Sequence, residues 1–264
     1  MKLKTLSGLV LGPTVMILVA GCAADAPEAE VATVSFVEGE CGDVYGADIC
    51  TWAEVEGDRV VSLGANIPMA SVENAPPEME MVWPPLDAGT LAMPAVVQDQ
   101  TGVQSLKIYW EAHGHPPGPY LVPHFDFHFY TIGAEETDAI DCSDESKPAS
   151  PPAGYALPDV DIPEIGHLVG LCVPAMGMHA LLQEELEGED PFSGTMVIGY
   201  YADESIFFEP MITKDLLMER ATFSLDMPMV PGVEDGVTIP AHFEAEFDAA
   251  SDSYRFVFTE LGGN

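Results

Sequence analysis

Basic side chains are scarce in this sequence: 8 Lys and Arg stand against 44 Asp and Glu, a formal net charge of −36 over 264 residues. So few cations cannot neutralise a phosphate backbone, and nucleic acid is excluded as a partner. Several catalytic signatures are missing too. There is no G-x-S-x-G elbow, no P-loop and no dinucleotide fingerprint. No Cys-x-x-Cys occurs, which argues against a metal-thiolate site. Long helical periodicity is nearly absent, and no internal repeat is evident. The acids are scattered rather than gathered in one tail. That pattern reads as adaptation to a salt-rich environment, where self-repulsion is screened, or as an acidic envelope protein at ordinary salinity.

Glycine (24) and proline (23) are plentiful and spread throughout. They favour many short strands and turns. Strand candidates are "ATVSFVE", "RVVSLGANI", "SLKIYWEA", "HFDFHFYTI", "GTMVIGYYA", "SIFFEPMI", "ATFSLDMP", "HFEAEFDA" and "YRFVFTEL". Two short helices are expected, in "HALLQEELEG" and in "TKDLLMER", the second with Thr213 as its N-cap. The segment from Asp141 to Pro163 carries five prolines and reads as a surface loop. The expected fold is therefore all-β: one domain over 33–264, a single antiparallel barrel or sandwich with long Pro-rich loops and one or two short helices.

The N-terminus reads as a targeting segment. Lys2 and Lys4 precede an apolar run, Leu9 to Ala20, and the segment ends in "LVAGC". Small residues before Cys22 resemble a lipoprotein cleavage box. The resemblance implies a signal peptide over 1–21, acylation of the Cys22 thiol, and a polar tether over 22–32. The expected location is the cell envelope, membrane-anchored through lipid and facing the periplasm or exterior. An ordinary signal peptide or a retained anchor helix are the alternatives. Four further cysteines in an exported domain suggest two disulfides. Cys41 and Cys50 flank a Gly-rich loop and suit a local bridge. Cys142 and Cys172 would then pair, although three connectivities are formally open.

One strand carries an unusual pattern. In "PHFDFHFYTI", His124, Asp126, His128 and Tyr130 fall on one parity, and Phe125, Phe127 and Phe129 on the other. Successive strand side chains point to opposite faces, so one face is aromatic and the other polar. Neighbours two apart lie about 6.6–6.8 Å from each other, so one histidine can share an ion with Asp126, whereas both at once would need a bent strand. His128 is the preferred ligand, because its sequence neighbours bury it deeper than His124. Downstream, His179 follows a Gly turn in "CVPAMGMHALL", and Glu209 ends the apolar run "SIFFEPM". A carboxylate there is costly unless paired or metal-bound. Two or three histidines with a carboxylate on strands is a ligand set of zinc, iron and manganese sites. Upstream, "EAHGHPPGPY" adds Glu111, His113 and His115, on a loop that can fold over a pocket mouth.

A lone histidine usually reads as a hydrogen-bonded residue, but six of the seven lie between 113 and 179. The expected ligands are His128, His179 and Glu209, with Asp126 and His124 beside them and His115, Tyr130 and His113 at the pocket rim. A polar hydrogen-bond network without metal is the competing reading. The pairs Met79/Met81, Met176/Met178 and Met227/Met229 offer a copper alternative, since thioethers suit Cu(I).

Four motifs stand in order: "GHPPGPY", "PHFDFHFY", "AMGMHA" and "FFEPMITKDLL". Together with Trp110, Gly114, His115 and Pro116 they resemble an uncharacterised family of exported bacterial proteins, catalogued as a domain of unknown function of the TTHB type. The resemblance covers roughly 85–225. Ala180 stands where the family has tryptophan, and His242 where tyrosine is usual. The resemblance implies an all-β exported domain able to form homo-oligomers, and it supplies no activity. Three functions follow from the residues: an envelope protein holding a divalent metal or small polar ligand, a metal-dependent hydrolase or hydratase at the same site, or a structural or stress protein without metal.

Overall fold

The alternation in "HFDFHFY" decides how the molecule is layered. A computed structural model describes residues 33–80, 82–231 and 233–262. The signal peptide, Cys22, the whole of the tether and Met81 lie outside the described residues. In chain order the strands are β1 (Val34–Val44), β2 (Ala47–Glu56), β3 (Arg59–Pro68), β4 (Gly89–Ala92), β5 (Ser105–Glu111), β6 (His124–Tyr130), β7 (Tyr155–Ala156), β8 (Val160–Ile162), β9 (Gly166–Leu168), β10 (Met178–Leu182), β11 (Gly194–Tyr201), β12 (Glu204–Thr213), β13 (Phe223–Leu225), β14 (His242–Asp248) and β15 (Ser253–Thr259). They form a six-stranded sheet, ordered β1-β2-β3-β15-β14-β13, and a seven-stranded sheet, ordered β4-β5-β6-β12-β11-β10-β7, with β8-β9 apart. All pairings are antiparallel and neither sheet closes into a barrel, so of the two expected architectures the chain adopts the sandwich.

The three phenylalanines of β6 glue the sheets together. Phe127 meets Phe256 of β15 edge to face at 4.9 Å, and Phe129 meets Phe258 at 4.8 Å. Such pairs add to the transfer free energy of the rings themselves. The opposite parity of β6 turns away from this core, yet it is not left to water. All seven residues of the strand are buried. Loop segments cover the polar row: His124 packs on Phe192, and the Tyr130 hydroxyl donates to the Met176 carbonyl at 3.1 Å. The fold thus buries a polar strip on the outer face of a sheet.

Helices are more numerous than the sequence suggests, although each is a single short turn or two: α1 (Met69–Glu73), α2 (Ala95–Thr101), α3 (Ala134–Asp138), α4 (Gln183–Glu187) and α5 (Lys214–Met218). Thr213 caps α5, its hydroxyl accepting from the Leu216 amide at 3.3 Å. The first expected helix is half strand. His179 to Leu182 pair with β11 on one side and β7 on the other, and only Gln183–Glu187 coil. Sheet pairing on both edges outweighs the helix propensity of "ALL".

Both expected disulfides are present, Cys41–Cys50 and Cys142–Cys172. They place the folded domain in an oxidising compartment, extracellular or periplasmic. The first does not flank a loop as expected. Cys41 and Cys50 sit opposite each other in β1 and β2, joined by a tight turn at Tyr45 and Gly46, which has φ 89°. The glycines suggested a loop, but the chain needs only one of them to reverse. The 141–163 segment is surface chain as read, with β7 and the start of the small β8-β9 ribbon inside it. Among the described residues no helix is long and apolar enough to cross a membrane.

Candidate metal centre

Register carries the polar residues into one place. In an antiparallel sheet, residues opposite each other share a face. Asp126 of β6 faces Met211 of β12 and Tyr109 of β5, and Glu111 faces His124. On the far side, His179 of β10 faces Gly199 of β11, and Gly199 faces Phe207 of β12. Glu209 lies between Met211 and Phe207, so it meets the His128 row. A Cβ on Gly199 would overlap the Phe207 ring. Its absence lets that ring lie 4.6 Å from the His128 ring and 5.3 Å from that of His179, walling both.

Two groups of donors result. The inner group is His128, His179 and Glu209. His128 Nε2 stands 3.5 Å from His179 Nε2 and 3.4 Å from Glu209 Oε2. The Nδ1 of His179 lies 3.0 Å from the Leu171 carbonyl. A carbonyl only accepts, so Nδ1 carries the hydrogen and Nε2 presents its lone pair inward. The outer group is His115, His124 and Asp126. His124 Nε2 lies 3.2 Å from Asp126 Oδ1, and His115 Nε2 3.8 Å from Oδ2.

Asp126 and His124 therefore stand apart from the inner ligands. The strand is not bent enough for His124 and His128 to share one point, in keeping with the spacing of alternate residues along it. Each finds partners from other elements instead. Tyr130 stacks on His128 at 5.7 Å between ring centroids. His113 is half-exposed at the rim and pairs with Glu78 at 3.3 Å. His167 and His242 are exposed and belong to neither group. Among the described methionines, Met79 and Met176 both line the cleft described below, Met176 packing with Tyr109 and Val173, whereas Met178 joins the main core and Met229 is exposed.

Burial sets the protonation preferences. Desolvation holds His124 and His128 well below the ordinary imidazole value, helped by His115 and by His179 respectively. It lowers His179 to about 4. It raises Asp126 and Glu209 well above the carboxyl range, with Glu209 adding to the rise at Asp126. Neutral imidazoles are what metals bind. Buried carboxyls pushed upward are what a cation would relieve.

A cleft of about 640 Å³ opens onto this floor. Trp83, Leu86, Trp110, Ile165, Val173 and Met176 supply apolar walls, while His115, Asp126 and His179 reach it from below. Glu111, a residue the sequence offered only as loop decoration, also lines it. Its carboxyl is pushed up to about 7 by burial. A carboxyl raised in the fold contributes its stability below about pH 4.5 and withdraws it as pH rises toward 7. In metal-free protein, Glu111→Gln is thus expected to raise stability at pH 8 by about 1–3 kcal/mol and to change nothing at pH 4. Denaturant midpoints at the two pH values check this; equal gains at both would contradict it. Compared with family models, with curated proteins and with solved structures, the chain matches none, so its chemistry has to be read from the donors themselves.

Proposed function

We propose that the chain is a lipid-anchored cell-envelope protein of the exported type it resembles, and that its β-domain binds a divalent metal ion through His128, His179 and Glu209. One observation carries the reading. Donors about 2.0–2.1 Å from a tetrahedral ion stand about 3.3–3.4 Å apart. His128 Nε2 keeps 3.5 Å and 3.4 Å from its two partners, with Glu209 Oε2 buried and without a hydrogen-bond partner. The Leu171 carbonyl orients His179 as a backbone acceptor orients a metal-bound imidazole. Two imidazoles and a carboxylate favour zinc; copper, iron and manganese accept the same donors. The acidic surface supports a saline setting, and the disulfides support the oxidising side of a membrane.

A second reading is a hydrolase or hydratase at the same place. Glu111 favours it, since a buried carboxyl with a pKa near 7 beside an apolar cleft suits proton transfer. A bound ion would supply Lewis acidity there, and Glu111 would hold or release the proton.

Elemental analysis of untagged protein tests the assignment. About one equivalent or more of a transition metal is expected, and His128→Ala should lose the ion of the inner group. Less than about a tenth of an equivalent, with melting unaffected by chelator, leaves the structural reading in which the histidines serve only the fold.

A further inference from the structure

Both outer histidines are aimed as His179 is, each by a backbone carbonyl. His124 Nδ1 lies 2.7 Å from the Val122 carbonyl, and His115 Nδ1 2.9 Å from the Pro116 carbonyl. Both Nδ1 atoms therefore carry hydrogens, and both Nε2 atoms present lone pairs. Those lone pairs point at Asp126, which, when ionised, also only accepts. His124 Nε2 and Asp126 Oδ1 face each other at 3.2 Å, and both are buried without a hydrogen-bond partner. With Asp126 ionised, three acceptors turned toward one point repel each other, and either a proton on Asp126 or a cation among them relieves that; a cation can meet all three at once.

The loop is built to keep this arrangement. Gly114 has φ 67°, and a Cβ there would run into the backbone of Tyr120 to Val122. The chain folds back through this close approach, with the His115 amide donating to the Tyr120 carbonyl at 3.2 Å. The His115 and His124 rings come to 4.8 Å, edge on. An ordinary surface loop has no need of so tight a return over a buried carboxylate.

We infer that His115, His124 and Asp126 form a second cation position beside the inner one, open to the cleft and exchanging its ion more readily. The two positions share the polar face of β6, Asp126 standing one strand repeat from His128, about 6.6–6.8 Å along the chain. They differ in access. The inner donors are all buried and only His179 among them reaches the cleft, whereas the His115 side chain is 31% exposed and lines the cleft with Asp126. This position stands on its own geometry and does not require the inner group to be occupied.

Zinc titration of the full, untagged, metal-stripped chain tests it, with a chromophoric chelator as competitor. Two equivalents are expected, one tight and one weaker. His115→Ala and Asp126→Asn should each abolish the weaker equivalent and keep the tight one; His128→Ala and Glu209→Gln should do the reverse. His115 sits on a loop and partly exposed, so its variant keeps the fold even if the Asp126 variant does not. A single equivalent that is lost with His128 and untouched at His115 overturns this inference and leaves the inner site standing. A single equivalent lost only with His115 and Asp126 upholds it and removes the inner site. No bound zinc removes both.

Discussion

Stripping the metal from the domain at pH 8 is expected to lower its melting temperature by roughly 8–16 °C per tightly held ion. An ion at a thousandfold above its dissociation constant contributes about 4 kcal/mol. A domain of this length shifts about 2–4 °C per kcal/mol. The loss should be large here because removal leaves buried carboxyls that burial has pushed well above their ordinary value. The shift should also shrink on acidification. Glu209 binds an ion only as a carboxylate, and its raised pKa lets protons compete at higher pH than they would at an ordinary carboxyl. In the stripped protein His179 works against stability in acid, opposing the gain from Glu111, Asp126 and Glu209, whose raised carboxyls take up protons in the fold first. The unfolded chain takes up protons on histidine below about pH 6.5, whereas His179 refuses one until about 4. From His179 alone that is roughly 3 kcal/mol across the window. Thermal scans with and without chelator, at pH 8 and pH 5, read both effects; identical curves at pH 8 would dispose of the metal reading.

Removing the Cys142–Cys172 bridge by a double serine substitution is expected to cost about 3–4 kcal/mol. The bridge spans 30 residues, and closing a loop of that size restricts the unfolded chain by roughly that amount. A second effect follows from where the bridge ends. Cys172 adjoins Leu171, whose carbonyl receives the His179 Nδ1–H. Loosening that carbonyl frees the imidazole to turn, and loss of such an orienting partner typically weakens metal affinity 10–100-fold. Melting should therefore drop by roughly 6–16 °C, and zinc affinity should fall at least tenfold. A variant that melts lower but binds zinc unchanged would show that the disulfide serves the fold alone.

Much of this was readable from residue order, and the reasons are local. The H-x-D-x-H alternation has period two, so it reports strand and facing without any long-range information. Cysteine pairing was legible because a nearby pair, Cys41 and Cys50, left a remainder of two. Glu209 stood out because an acid inside "IFFEPMI" is costly to bury unless a partner or an ion meets it. What stayed hidden depended on partners distant in sequence. That Asp126 belongs with His124 and His115, not with His128, is decided by the return of the 112–123 loop, which no periodicity records. The role of Glu111 depends on register with His124 across β5 and β6. The strand at His179 was masked by a helix-favouring tail, and only pairing with β7 and β11 settles it.

The inner donors come from three strands, with His128 and His179 separated by 51 positions and the whole of β11 between the latter and Glu209. No stretch of nascent polypeptide holds even two of them at working distance. Metallation would consequently wait for β6, β10 and β12 to assemble in their sheet, and would reach full affinity only once the 142–172 bridge has formed, so the ion would be captured from the medium in which oxidation occurs. The composition of that fluid, more than intrinsic donor preference, would then dictate which metal the mature molecule carries.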